Sequence, residues 1–342
     1  MMQCRKWVGW MGWVMALGMA NAWADKSIGT QTIVDTAYVQ SALQRGVIVW
    51  DVRSSEDYKR GHIPGAINIG NIARVLRKDS DEDYIDLGSM EQLLGEAGID
   101  LSKEIIVYGD KGNPYVYFGG VTLQHFNGKA GKVYHGGIDD WKATGGALST
   151  EPTKLAPVSL KLTINSEEVI STQDMIRHAK RKDAQIVDVR TLGEFLGEDI
   201  RALRGGHIPG ATHIPYEQNW ADPETPAKLA RRQVANKDGL ALKNAEQLKA
   251  LYAKLDPGKE TIVYCQSGIR ASETALVLKD IGFKNVKVYD SSWLGYGNNL
   301  EAPAEDVTYF NVGALNARLS SMQRRMELLE KMLEGTRAAT AQ

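Results

Sequence analysis

The chain has 342 residues, 43% of them hydrophobic and 24% charged, with a formal net charge of -1. That balance gives material for roughly two globular domains and excludes the sparse-apolar, highly charged composition of a disordered chain. Lysine and arginine are spread along the sequence, so nucleic acid is not an expected partner.

Residues 1–24 read as a secretory signal peptide. Arg5 and Lys6 precede an apolar run from Trp7 to about Ala20, and Ala22-Trp23-Ala24 is an A-x-A cleavage site. The run falls short of the ~20 apolar residues that span a bilayer, which favours cleavage after Ala24 over retention as an anchor. The mature protein is therefore expected in the periplasm or outside the cell. Cys4 would leave with the leader, and Cys265 would remain as the lone thiol. An unpaired thiol in an exported protein is either buried and inert or exposed and reactive, and the count does not choose between them.

The next region, residues 25–150, alternates strand-like runs such as VIVWDV and EIIVY with helical patterns such as SMEQLLGEAG. Residues 151–162 hold two prolines and little periodicity, as a linker should. Residues 163–305 then repeat the alternation with QIVDV, AEQLKALYAKL and TIVYC. Strands separated by helices imply βα units on a mostly parallel sheet, whose chemistry lies at the carboxyl ends of strands. Asp188 and Cys265 both fall at such ends.

The two regions are copies of one pattern. DVR recurs at 51 and 188, and GHIPGA at 61 and 206. EIIVYGDKGN (104 to 113) matches ETIVYCQSGI (260 to 269), and KVYHGGIDDW (132 to 141) matches KVYDSSWLGY (287 to 296). Four blocks in the same order over more than 100 residues mean two homologous domains.

The D-x-R after the first strand, the GHIPGA block, the C-x-x-G-x-R loop and the VYDSSW segment together resemble the tandem-domain rhodaneses, from about residue 33 to 300. That family includes thiosulfate and mercaptopyruvate sulfurtransferases. The resemblance implies an α/β fold of two tandem domains, each a mostly parallel sheet flanked by helices. It also implies a nucleophile at Cys265 in the second domain and a first domain that has lost it, since Gly109 stands opposite Cys265. The first domain would then wall the pocket. The implied partners are a small sulfur-containing anion as donor and a thiol or cyanide as acceptor, with no cofactor and no metal.

The loop residues support this chemistry on their own. Negative charge on sulfur is favoured at helix N-termini and beside cations, and Cys265 opens directly into the helical pattern ASETALVLKDIG, whose Ala271, Ala275 and Leu278 share one side. Gly268 allows a tight turn, and the successive N–H groups of Gln266, Ser267, Gly268, Ile269 and Arg270 would form an anion-binding concavity. Arg270 points either into that concavity or outward to a carboxylate. The anion is thiosulfate, the terminal sulfur of a persulfide, or phosphate. Phosphatase relatives of the fold resemble C-x5-R, whereas Cys265 to Arg270 is C-x4-R, the shorter sulfurtransferase form.

Other residues repeat in both copies and so read as fold elements. Asp188 and Arg190 are mirrored by Asp51 and Arg53, a carboxylate and guanidinium bracing the sheet end, with Asp188 and Arg190 placed behind the site. His62 and His207 occupy matching GHIPG blocks as structural hydrogen bonders, and Trp293 reads as core or pocket wall. One residue departs from the family: Glu194 replaces the arginine that contacts anionic substrates in the tandem enzymes. That hurts mercaptopyruvate most, leaving thiosulfate first and polysulfide or another persulfide behind it. The rival class is a non-catalytic binding or scaffold protein.

Residues 306–342 lie outside the resemblance. Val312, Leu315, Leu319, Met322, Met326, Leu329 and Leu333 follow a 3, 4 spacing over three heptads, flanked by Arg318, Arg324, Arg325, Glu327, Glu330 and Lys331. This amphipathic helix is expected to self-associate, to meet a partner protein, or to dock on the chain's own domains.

Overall fold

Parallel pairing of short β-branched runs builds two sheets. The computed structural model describes residues 32–80, 82–128 and 130–340, so the expected leader, its cleavage site and Cys4 lie outside the described residues. In the first sheet β1 (Ile33–Val34), β2 (Ile48–Asp51), β3 (Ile67–Asn68), β4 (Glu104–Tyr108) and β5 (Ala130–Tyr134) adopt the order β1-β5-β4-β2-β3. In the second, β6 (Gln185–Asp188), β7 (Thr212–His213), β8 (Thr261–Tyr264) and β9 (Val286–Val288) adopt β7-β6-β8-β9. Every pairing is parallel, as buried runs such as IVWD and TIVY require. The second sheet lacks a full counterpart of β1; a single parallel bridge, Val169 to Val288, takes its place.

The copies join through equivalent helices. Pro114–His125 follows β4 and Ile269–Asp280 follows β8, and these two helices pack against each other across the domain boundary. Gly120 permits the approach: a Cβ there would lie 2.7 Å from Val133 Cγ2 and 3.3 Å from Leu276 Cδ1. One apolar cluster consequently runs through both domains, taking in Trp50, Val107 and Phe118 from the first and Val263, Leu276 and Val288 from the second. The sequence pattern marked one apolar side, Ala271, Ala275 and Leu278, but every residue from Ala271 to Leu278 is buried. The helix is sandwiched between its own sheet and the neighbouring domain, so its polar positions are covered as well. Polar contacts lock the same boundary: Ile33 N donates to Asp280 Oδ2 at 2.9 Å, and Lys279 Nζ to Gln124 Oε1 at 2.9 Å.

The linker is strapped down along the first domain. Val158 N donates to Gly95 O at 2.9 Å, and Leu162 is buried. At the other end, antiparallel bridges from His207 to Glu305 and Arg204 to Tyr309 carry the second domain past residue 305. Beyond it comes the helix Val312–Thr340, with every residue from 312 to 334 exposed. Docking of its apolar stripe on the chain's own domains is thus not what the structure has. Among the described residues, no helix is long and apolar enough to cross a membrane.

A continuous core predicts joint unfolding. Leu276→Ala should cost about 2–5 kcal/mol, the usual range for a buried Leu truncation, and tryptophan-monitored urea denaturation should shift as one transition. Two transitions, only one of them shifted, would show the domains to be independent.

Candidate active site

β8 ends at Tyr264, and the chain turns through Cys265–Gly268 into the helix at Ile269. Gly268 has φ +81°, and a Cβ there would lie 2.6 Å from Asp290 Oδ1 and 2.7 Å from Asp290 O, so only glycine fits. The turn curls the loop around Cys265, which is unpaired and 1% exposed. A cavity of about 260 Å³ reaches it, lined by Glu82, Pro114 and Tyr115 of the first domain and by Arg201, Tyr216 and the loop itself. The first domain does wall the pocket.

Two features of the loop concern hydrogen bonds. Cys265 N and Gly268 N both donate to Ser292 Oγ, at 3.1 and 3.0 Å, while the Ser292 hydroxyl donates to Tyr289 O at 2.7 Å. In contrast, the amides of Gln266, Ser267, Ile269 and Arg270 donate to no other group among the described residues. Helix geometry leaves the first N–H groups without partners, and here they gather beside a thiol.

In the matching loop of the first domain, three of the four counterpart amides are taken or missing, and Asp110 keeps the fourth. Lys111, the counterpart of Ser267, donates its amide to Asp139 Oδ2 at 2.9 Å, and Asn113, the counterpart of Ile269, donates to Asp110 O at 3.2 Å. Pro114, the counterpart of Arg270, has no N–H at all. In the second domain Leu294 replaces Asp139 and offers no acceptor. The first copy therefore has Gly109 in place of the cysteine and a different set of open donors: Gly109, Asp110 and Gly112 donate to no other group among the described residues, while Lys111, Asn113 and Pro114 offer none.

Ser292 was missed in the sequence. It holds φ +49° where its counterpart, Gly137, holds φ +54°. Serine in this left-handed region costs of order 1–3 kcal/mol and persists only where the surroundings enforce it. What enforces it is the pair of loop amides on its hydroxyl. The exchange of HGG for DSS between the copies was the available signal.

Beneath the loop lies a second unanticipated contact. Asp290 Oδ1 accepts from Arg77 Nη2 at 2.7 Å, joining the second domain's loop support to a cation of the first. The Arg77 guanidinium lies 4.3 Å from the Phe118 ring centroid and 5.2 Å from that of Tyr84. Burial works against its charge, but Asp290 foremost, with Tyr84 and Cys265, holds its pKa above the ordinary arginine value. Burial pushes the Asp290 carboxyl up while Arg77 opposes that rise. A larger cleft of about 700 Å³ between the domains reaches Asp290 and Ser291 past Tyr84 and His125, but Cys265 does not line it.

Arg270 resolves to the outward alternative. Its Nη1 and Nη2 donate to Glu194 Oε2 and Oε1 at 2.7 and 2.8 Å. Arg201 Nη1 donates to the same carboxylate at 3.1 Å, and Thr191 caps it from the helix start. Burial raises the Glu194 carboxyl, but the Arg270 bonds and charge win and hold it at about 2. Glu194 thus pairs with both Arg270 and Arg201, which line the cavity, and Arg201, whose side chain is 51% exposed, is the more accessible cation.

The remaining expected residues are placed as follows. Gln266 turns its side chain to Arg201 O, at 2.7 Å, so its contribution to the cavity is mainly backbone. Ser267 is buried and Ile269 half-buried at the rim. Arg190 Nη2 bonds Asp188 Oδ2 at 2.6 Å and Gly206 O at 2.7 Å, and Arg53 repeats this with Asp51 at 2.6 Å and Gly61 O at 2.8 Å. Neither Asp188 nor Arg190 lines the Cys265 cavity; Arg190 packs over the buried Trp293 ring, whose backbone N donates to Cys265 O. His62 and His207 stack on Tyr58 and Phe195, each bonding a backbone carbonyl.

Comparison with known proteins agrees with this geometry. The model of the rhodanese-like domain matches residues 35–144 and 171–299. A thiosulfate sulfurtransferase of Corynebacterium glutamicum is 33% identical over 270 residues, covering 74% of this chain and 84% of its own. The sulfur carrier protein TtuD of Thermus thermophilus is 31% identical over 292 residues, 80% of this chain and 96% of its own. Among solved structures, SseA of Escherichia coli, described as a 3-mercaptopyruvate sulfotransferase, superposes with a TM-score of 0.65 over 77% of this chain and 99% of its own. At 24% identity that likeness speaks to the fold.

Removing the Arg77 charge leaves the half-buried Asp290 without a counter-ion, which costs about 1–3 kcal/mol. Arg77→Gln should therefore lower stability in urea denaturation by that order and slow alkylation of Cys265, whereas adding Asp290→Asn should recover most of the stability. A stable Arg77→Gln single variant would contradict the assignment. Ser292→Ala leaves two buried amides without an acceptor, and should lower stability by about 1–3 kcal/mol while also slowing Cys265 alkylation; unchanged alkylation would remove Ser292 from the site.

Proposed function

The chain belongs to the rhodanese-like family, and on that premise we propose that it is a sulfurtransferase whose Cys265 carries sulfane sulfur from a small anionic donor to a thiol or cyanide. The observation that carries this reading is the asymmetry of the two loops. One copy surrounds a cysteine with four unpartnered amides, and in the other Asp139, the Asp110 carbonyl and Pro114 remove three of the four counterparts.

With thiosulfate as donor, the Cys265 thiolate attacks the outer sulfur, the sulfur–sulfur bond of thiosulfate breaks, and sulfite leaves with its electron pair. The product is a Cys265 persulfide whose terminal sulfur carries the negative charge. The amides of Gln266, Ser267, Ile269 and Arg270 receive that charge, and the positive end of the Ile269–Asp280 helix supports it. An acceptor thiolate or cyanide then attacks the terminal sulfur and Cys265 leaves as thiolate, completing two half-reactions. The loop supplies no general base, and neither step moves a proton when both attacking groups are anionic.

Thiosulfate ranks ahead of mercaptopyruvate for a specific reason. A carboxylate-bearing donor wants a bidentate guanidinium, and Arg270 has already given both nitrogens to Glu194. Arg201 remains to attract an anion to the mouth. Two relatives bear on the reading, the C. glutamicum protein named a thiosulfate sulfurtransferase and the T. thermophilus protein named a sulfur carrier. Export to the periplasm or beyond, with cleavage after Ala24, belongs to the same proposal.

Incubated with thiosulfate, the purified protein should gain one sulfur atom on Cys265 by intact mass, release sulfite when cyanide is added, and begin at Asp25. Cys265→Ser should abolish both sulfur events. Failure of every sulfane donor to load Cys265 would overturn the reading in favour of a binding role, and hydrolysis of a phosphate ester would point to a phosphatase. Arg201→Ala should raise KM for thiosulfate by about three- to tenfold with little change in kcat, the pattern of lost ground-state attraction.

A further inference from the structure

The Val312–Thr340 helix presents an apolar stripe that nothing among the described residues covers. Its 29 residues span about 43 Å at 1.5 Å per residue. Val312, Leu315, Leu319, Met322, Met326, Leu329 and Leu333 are each between 37% and 60% exposed. These side chains form a narrow seam along a helix with arginine and glutamate beside it. Such a seam is stable in water only when a second apolar seam covers it.

The charges beside the seam say what covers it. With Val312, Leu319, Met326 and Leu333 at a and Leu315, Met322 and Leu329 at d, the flanking g positions are Arg318, Arg325 and Met332, and the e positions are Asn316, Gln323 and Glu330. When two such helices run in parallel and in register, each g residue faces the e residue five positions on in the other helix. Arg325 then meets Glu330 of the second copy, once on each side of the seam, and Arg318 meets Gln323. No like charges face each other. Antiparallel pairing, in which a faces d and g faces g, instead brings Arg325 of one copy against Arg325 or Arg318 of the other, depending on register.

We propose that residues 312–333 pair with the same residues of a second copy of this chain as a parallel, in-register, two-stranded coiled coil. The seam is three heptads long, so the pairing is reversible and depends on concentration. It joins two catalytic units at the same end of the coil and leaves both Cys265 cavities, which lie in the domains, untouched. The inference stands apart from the sulfur-transfer reading, because its test requires no activity.

Sedimentation of the full purified protein across a concentration series should give twice the chain mass at high concentration and the chain mass on dilution. Arg325→Glu and Glu330→Arg should each weaken the association by about tenfold, since each turns two attractive pairs into two repulsive ones. The double variant R325E/E330R should restore it. For orientation, Leu315→Cys in a Cys265→Ser background should oxidise readily to a linked dimer, because d residues near the end of the seam face each other only in the parallel form. Sulfur loading of Cys265 in Arg325→Glu should match the parent. A monomer at every concentration, a trimer, single variants that change nothing, or a double variant that stays dissociated would each overturn the proposal.

Discussion

A carboxylate mostly withdrawn from water has to be balanced, and in this protein the balancing charge comes from the other domain. Asp290 sits under the Cys265 loop, pressed against Gly268, with Arg77 as its counter-ion. Burying such a pair is favourable only when geometry and surrounding contacts are good, and breaking it is expensive. Arg77 is accordingly held between Asp290 and the rings of Phe118 and Tyr84. This single contact makes the second domain's loop depend on the first. It explains physically why a domain with glycine in place of the nucleophile is still needed: it supplies a cation, a pocket wall, and the helix against which Ile269–Asp280 is buried.

The same dependence makes the divergence of the two copies intelligible. Their backbones agree closely, down to matched bonds from Trp293 N to Cys265 O and from Ile138 N to Gly109 O. They differ in where the loop amides go. In the first copy Asp139 is close enough to take the Lys111 amide, and no charge needs to be accommodated. In the second, Leu294 withholds an acceptor, Ser292 takes only the Cys265 and Gly268 amides, and the rest stay open toward the sulfur. The left-handed backbone at Ser292 is the strain accepted for that arrangement, since its counterpart is a relaxed glycine.

The repeat was legible because its strands and turns are local. IVY runs, GHIPGA and the glycine turn at Gly268 declare themselves within a few residues, and their doubling separated fold elements such as Asp188, Arg190 and His207 from the lone Cys265. Arg270 was legible as a cation but not in direction, because its partner Glu194 lies 76 positions away and only the folded chain brings them together. Arg77 left no signal, since its partner is 213 residues distant and it belongs to no motif. The all-round burial of Ala271–Leu278 was hidden for the same reason: half of what covers it comes from the first domain. The heptad stripe showed its period but not its neighbours, and exposure from 312 to 334 removed docking on the chain itself.

Four amides stand open around Cys265 where Lys111 and Asn113 are tied and Pro114 has none, and backbone amide NMR of the full chain titrated with thiosulfate reads both loops at once. The account predicts large shifts at Gln266, Ser267, Ile269 and Arg270 that persist after excess donor is removed, with Lys111 and Asn113 unmoved. Equal shifts in the two loops, or shifts at Arg270 alone that vanish with the donor, would contradict it.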